Sequence, residues 1–127
     1  MSRLLRACAI ALILSAATGA VLANEVREMS LEKKARQSDL VVIGRVMSTR
    51  KEKAKDVTLE YARVRVDKIL KGTPPEPLDV LSKDSIAELN PDCCEIGRAY
   101  LFFLVKAKQS TFASVNGRFG ILPLDAR

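Results

Sequence analysis

The chain has 127 residues, with 21 lysines and arginines against 15 acidic residues, and it contains no histidine and no tryptophan. The lack of histidine excludes Ser-His and Cys-His catalysis and histidine-ligated metals, and no glycine-rich phosphate loop follows a predicted strand. The carboxylates are scattered and mostly lie beside basic residues in the sequence. We therefore expect a protein that is not an enzyme and that holds no cofactor and no metal.

The first 23 residues predict where the protein goes. Arg3 and Arg6 precede an uncharged, mostly apolar stretch over residues 7–23 that ends in Val-Leu-Ala. This order is typical of a secretory signal peptide, so we expect cleavage after residue 23 and an exported, periplasmic or secreted protein. The alternative is an uncleaved membrane anchor, but the stretch has 17 residues, and a membrane span needs about 20.

The mature chain, residues 24–127, has a length suited to one domain. Removing 23 of the 127 residues leaves 104, with 19 basic and 15 acidic residues and hence a net charge of +4. This excess is too mild for a typical nucleic-acid binder, and export removes nucleic acid as a normal partner.

The first predicted element is a short helix. Ser30 can cap a helix that begins at Leu31, and Glu32 and Arg36 are spaced to form an ion pair on its surface. Leu31 and Ala35 form a narrow apolar face. That face is too small to hold the helix alone, so we expect it to pack on another element.

Two strands are predicted next. Residues 40–48 begin with four apolar residues, and Gly44 indicates a bend or a bulge in this strand. Residues 49–56 are predicted to form a charged hairpin loop. Residues 57–70 form a longer strand whose apolar pattern changes phase between Tyr61 and Ala62, which also indicates a bulge.

The remainder is predicted to be mainly β. A turn rich in glycine and proline separates the second strand from a third, and a long irregular segment with one helical turn at 85–89 precedes a buried strand. The Asn116-Gly117 pair indicates a hairpin between two last short strands. The predicted elements of this part are a turn at 71–77 and strands at 78–81, 98–106, 110–115 and 119–122. Five or six strands, some of them bent, favour a small closed or partly open barrel.

Four segments of the mature chain together resemble the netrin-like domain. They are residues 38–46 (SDLVVIGRV), residues 64–72 (VRVDKILKG), the pair Cys93-Cys94 with residues 97–103 (GRAYLFF) after it, and residues 115–117 (VNG). The netrin-like domain is the oligonucleotide/oligosaccharide-binding (OB) barrel of the tissue inhibitors of metalloproteinases. The chain is most similar to small exported bacterial relatives of that domain, whose function is mostly unassigned.

The resemblance covers residues 30–122 and implies an OB-like barrel of five or six strands. It also implies a short N-terminal helix and a helical turn before the fourth strand, in a single domain over residues 24–127. The inhibitory mechanism is not expected here. In the metalloproteinase inhibitors a cysteine at the mature N-terminus grips the catalytic zinc, whereas this mature chain begins Asn24-Glu25 and has no cysteine before Cys93.

Cys93 and Cys94 are the unusual pair in this sequence. An oxidising compartment favours a disulfide, but neighbouring Cα atoms lie about 3.8 Å apart, below the usual range for a disulfide. A bond between the two cysteines, bonds to another chain, and free thiols all remain open. A thiolate metal site would need more ligands than two cysteines supply.

Basic residues of the second strand and of the loop before it form the candidate ligand-binding face. Barrels of this class bind ligands on strands two and three and the adjoining loops. The candidate residues are Arg50, Lys51, Lys53, Lys55, Tyr61, Arg63 and Arg65.

These observations favour a non-enzymatic exported binding domain whose ligand is a protein, itself exported or part of the envelope. One alternative is an envelope factor that binds an anionic polymer or a lipid surface through the basic residues. A second alternative is a thiol-redox protein that uses Cys93 and Cys94. Salt separates the first two hypotheses, because binding to a polymer should weaken steeply as the ionic strength rises.

Overall fold

The computed structural model describes residues 26–124, so the predicted signal peptide lies outside the described residues. Within this range the chain forms one helix, α1, over Leu31–Gln37. The six strands are β1 (Leu40–Ala54), β2 (Val57–Lys71), β3 (Leu78–Lys83), β4 (Ala99–Lys106), β5 (Thr111–Ser114) and β6 (Ile121–Pro123). Single turns of 3-10 helix lie at Ala87–Leu89 and Gly117–Phe119.

Five of the strands form a ring. The order is β1-β2-β3-β5-β4, and β4 pairs with β1 to complete the ring, while β6 pairs with β4. The pairing of β3 with β5 is parallel, and the other pairings are antiparallel. The prediction of a mainly β, barrel-like fold with a short N-terminal helix and a helical turn before the fourth strand is confirmed.

The bend predicted at Gly44 is present. The pairing of β1 with β2 shifts register between Ile43 and Gly44, and β1 pairs with β4 along its other edge at the same place. A Cβ atom at Gly44 would lie 2.5 Å from a methyl carbon of Val64 and 2.8 Å from the carbonyl oxygen of Arg65. Because glycine has no side chain, β2 can approach β1 closely here while β1 also pairs with β4 along its other edge.

The core lies inside the ring and is completed by alternate residues of β4. Tyr100, Phe102 and Leu104 point inward, and the rings of Tyr100 and Phe102 meet edge to face with centroids 5.8 Å apart. Phe102 is 0% exposed. The remaining core is aliphatic, from Leu40, Val42, Val46, Ala62, Val64, Leu78, Val80 and Ile121, with Phe112.

The predicted charged loop at residues 49–56 is wrong. β1 continues to Ala54 and β2 begins at Val57, with paired residues out to Ala54 and Val57, so a tight turn at residues 55–56 joins the strands. The two strands thus extend past the ring as a hairpin, which we call the arm (residues 49–61). The phase change in β2 was predicted between Tyr61 and Ala62. The pairing with β3 shifts register one residue earlier, between Glu60 and Tyr61.

The hairpin predicted at Asn116-Gly117 is also wrong, because β5 and β6 do not pair with each other. Both pair with the same edge of β4: β5 through residues 104–106 and β6 through residues 100–102. They are two parts of one interrupted strand. Val115 and Gly120 still hydrogen-bond to Phe103 of β4, and residues 116–119 leave the sheet between them. Gly117 has a φ of +52°, which suits the turn conformation that the Asn-Gly pair allows.

The cap and the ion pair of α1 agree with prediction, but its buried face does not. The backbone NH of Lys33 donates to the Ser30 hydroxyl at 3.2 Å, and Glu32 and Arg36 lie 4.0 Å apart. Leu31 is 60% exposed, whereas Lys34 is 1% exposed. The Lys34 nitrogen lies over the ring of Phe103, 5.8 Å from the ring centroid. Since Lys34 is buried, we expect its methylene chain to cover apolar surface as an apolar residue would.

Two substitutions of Lys34 should separate packing from charge. Lys34→Ala removes the chain that covers Phe103 and the cation above the ring, and should lower the free energy of unfolding by roughly 1 kcal/mol. Lys34→Met keeps the covering chain and should lose less than Lys34→Ala. Urea unfolding of both variants measures the difference, and equal losses would show that the charge, and not the packing, holds α1 on the sheet.

Candidate functional site

The structure brings three of the seven predicted ligand-face residues together around an acidic residue that the sequence interpretation missed. Arg63 and Asp79 are cross-strand partners of β2 and β3, with contacts of 3.0 and 3.2 Å between guanidinium and carboxylate. Arg50 reaches the same carboxylate at 3.4 Å and lies over the ring of Tyr61, with 4.7 Å between guanidinium carbon and ring centroid. Hydrogen bonding to Asp79 raises the pKa of Arg63.

These contacts occupy the groups that a ligand would need. Arg50 and Arg63 share the Asp79 carboxylate, and Glu52 lies 3.8 Å from Arg50. The Arg50 guanidinium covers a face of the only aromatic ring of the arm, Tyr61. Burial, followed by the nearby Glu52 carboxylate, raises the pKa of the Tyr61 hydroxyl. The quartet of Arg50, Tyr61, Arg63 and Asp79 is therefore a connected network on the surface.

The other four residues of the predicted face do not join this quartet. Lys51 and Lys53 are opposite Glu60 and Thr58, on the other face of the arm from Arg50, and Lys55 lies at its turn. Arg65 pairs with Asp67 at 3.2 Å. The predicted basic face is thus divided, because neighbouring residues of a strand point to opposite sides.

The position of the arm gives its charges a structural role. Beyond Val46, β1 has β2 as its one paired neighbour among the described strands, so its other edge is open from residue 47 to residue 54. Open edges invite pairing with other chains, and lysines along the edge oppose it. Lys51 and Lys53 fit this role without any ligand.

Cys93 and Cys94 form a disulfide with each other in the structure. Both are half-buried and pack against the core at the start of β4. They line a polar cavity of about 340 Å³ together with Glu60, Ser82, Lys83, Asp92, Glu95, Arg98 and Tyr100. The buried Tyr100 hydroxyl accepts a hydrogen bond from the backbone NH of Glu95 at 3.0 Å, which fixes the loop after the cysteines.

The lining of the cavity carries both signs of charge and includes two ion pairs. Glu60 lies 3.6 Å from Lys83, and Glu95 lies 3.7 Å from Arg98. Across residues 26–124, no group of three or more acidic or cysteine side chains is placed to hold a metal ion. The arrangement offers structural contacts around the disulfide.

The double substitution of Cys93 and Cys94 by serine should leave the fold intact and cost less than about 1 kcal/mol of stability. A disulfide stabilises mainly by restricting the unfolded chain, and a ring between adjacent residues restricts it very little. Denaturant unfolding and non-reducing gel mobility of both proteins are the measurements. A covalent dimer band in the wild type that the variant lacks would point to bonding between chains.

An apolar surface on the outside of the sheet is the feature that the sequence interpretation missed. β4 alternates, so Leu101 and Phe103 face outward beside Val41 and Ile43 of β1, and Leu122 of β6 pairs with Leu101. Leu31 of α1 and Leu70 of β2 stand at its border with 60% and 51% exposure. We call this the outer apolar surface: Leu31, Val41, Ile43, Leu70, Leu101, Phe103 and Leu122.

The outer apolar surface contains a hollow between α1 and the sheet. The hollow has a volume of about 490 Å³ and is lined by Leu31, Glu32, Ala35, Val41, Leu70, Lys71, Leu101 and Phe103. A signal for it existed in the sequence, since residues 101–104 are apolar without interruption and a strand buried on one face would alternate. That run predicts a second cover for β4, and Lys34 of α1 covers Phe103. Of the residues that line the hollow, Val41 and Phe103 are each 4% exposed.

No family model matches the chain, and no curated protein matches it either. Within residues 26–124, α1 and the short turns fall far below the length and apolar character that a membrane-crossing helix requires.

Proposed function

We propose that this protein is an exported, non-enzymatic domain with a netrin-like OB fold, and that it binds another protein. The outer apolar surface carries the proposal. Its border leucines, Leu31 and Leu70, are more than half exposed, and Ile43, Leu101 and Leu122 between them are half-buried. Exposed apolar patches on a folded domain mark sites of interaction. A hollow within that surface offers a place for a side chain of the partner.

The charges of the predicted ligand face support a protein ligand over an anionic polymer. Arg50, Arg63 and Arg65 each have a carboxylate partner within 3.4 Å, and Lys51 and Lys53 point away from Arg50 and Arg63. A polymer or lipid surface would be bound best by a continuous set of unpaired cations. The lack of histidine in the chain supports a role in binding and not in catalysis.

The test is to isolate the exported protein with its partner and to vary the salt concentration. We expect a protein complex of discrete mass that survives as the salt rises from about 0.1 M to about 1 M, although the Debye length falls from about 10 Å to about 3 Å. Apolar contacts are not screened in this way. Isolation with a polysaccharide or with lipid, released steeply as salt rises, would contradict the proposal and support the polymer alternative.

A further inference from the structure

The outer apolar surface is bordered by cations on its β2 side. Lys68 and Lys71 are the cross-strand partners of Ile43 and Val41, and cross-strand partners share a face of the sheet. Arg45 follows Ile43 on the same face of β1, two residues further along. Lys71 also lines the hollow itself.

Two of these cations bond to carbonyl groups rather than to carboxylates. The Lys71 ammonium donates to the carbonyl oxygens of Ala35 and Arg36 at 2.9 and 3.3 Å, and Arg45 donates to the carbonyl oxygen of Gly97. Carbonyl oxygens orient a cation but do not neutralise it. Among the described residues, no salt bridge joins Lys68, Lys71 or Arg45 to a carboxylate.

The acidic residue at the hollow does not balance this charge. Glu32 lines the hollow but lies one turn from Arg36, at 4.0 Å. The border therefore keeps an excess of positive charge beside an apolar hollow. Charge complementarity then selects a partner that presents carboxylates next to apolar side chains.

Two other occupants fit this surface less well. If a second copy of the chain docked by the same face, Lys68 and Lys71 of one copy would lie near the same lysines of the other. Such contacts between like charges are unfavourable. A bilayer presents no protruding side chain that could enter the hollow between α1 and the sheet. A large apolar side chain of a folded or extended segment can enter it.

We propose that the outer apolar surface binds a segment of an exported protein that places a large apolar side chain in the hollow and carboxylates against Lys68, Lys71 and Arg45. This inference rests on the proposed function and specifies the chemistry of its partner.

The experiment uses the full chain expressed and exported in its own cells, with a photoreactive benzoyl-phenylalanine probe at single positions. Leu70, at the border of the surface, carries the probe, and Ile86 is the matched control, since both residues are 51% exposed. After illumination, the crosslinked peptide is sequenced by mass spectrometry. We expect a peptide with apolar and acidic residues from position 70 and none from position 86.

A charge reversal tests the contribution of the cations. Lys68→Glu should lower the yield of the crosslink at Leu70 roughly three- to tenfold, since it turns an attraction near the surface into a repulsion. Lys53→Glu makes the same change on the arm and should leave the yield unchanged. Both lysines are exposed, so neither variant should disturb the fold. Equal yields in the two variants would overturn the role of the border cations.

The outcomes separate this inference from the proposed function. A protein crosslinked from position 86 but not from position 70 overturns the inference and leaves the proposed function standing. A crosslink from position 70 to a second copy, or to a peptide without acidic residues, also overturns the inference. Capture of lipid or of a polymer from position 70 overturns both.

Discussion

Replacement of Phe102 by alanine is expected to lower the free energy of unfolding by about 3–5 kcal/mol. The Phe102 side chain is completely buried and meets Tyr100 edge to face at the centre of the ring of strands. Its neighbours come from strands that are paired on both sides, so the surroundings have little freedom to collapse into the cavity. A domain of this size has a total stability of about 5–15 kcal/mol, so the variant should be close to unfolding.

Urea unfolding of the mature protein, followed by circular dichroism, measures this change. Phe119→Ala is the control, because Phe119 is only half-buried, in the turn between β5 and β6, with Arg118 stacked on its ring at 4.7 Å. We expect a loss in the control less than half that of Phe102→Ala. A loss below about 1 kcal/mol for Phe102→Ala would mean that this ring does not lie in the core.

The ring of strands was predictable because its signals are local. Apolar runs marked β1 and β4, Gly44 marked the bulge, and Ser30 marked the start of α1. The β1 half of the arm, residues 49–54, was not predictable. This segment is mainly charged on both faces, so it shows no burial pattern that would distinguish a strand from a loop. Its structure comes instead from continued pairing with β2 beyond the ring.

The candidate site was harder to predict than the fold, because it depends on register. Asp79 is 16 residues from Arg63 in sequence, and only the pairing of β2 with β3 places their side chains together. The buried position of Lys34 follows from where α1 crosses β4, which the apolar pattern of a seven-residue helix cannot specify. The role of Asn116 was also unpredictable, because it depends on contacts with residues far away in the sequence. The Asn-Gly pair indicated a hairpin, whereas the Asn116 side chain bonds to Met29 and Arg27.

Asn116 holds the N-terminal segment of the described chain against the loop between β5 and β6. Its side-chain oxygen accepts from the backbone NH of Met29 at 2.7 Å, and its side-chain nitrogen donates to the carbonyl oxygen of Arg27 at 3.0 Å. Asn116 is 4% exposed. In a sheet, a neighbouring strand would accept from one backbone NH of this segment and donate to a carbonyl oxygen two residues away. The Asn116 side chain makes both of these bonds in place of a neighbouring strand.

Replacement of Asn116 by leucine should therefore release this segment and lower the free energy of unfolding by about 1–3 kcal/mol, the cost of leaving a buried hydrogen bond unmade. Hydrogen exchange at Met29, together with urea unfolding, measures both effects. Asn90→Leu is the matched control, since the Asn90 side chain accepts from the backbone NH of Asp84 at 2.7 Å, in a different loop. Faster exchange at Met29 in Asn116→Leu but not in Asn90→Leu is the expected result. Unchanged protection of Met29 in Asn116→Leu would show that α1 and its contact with Phe103 hold the N-terminal segment without this side chain.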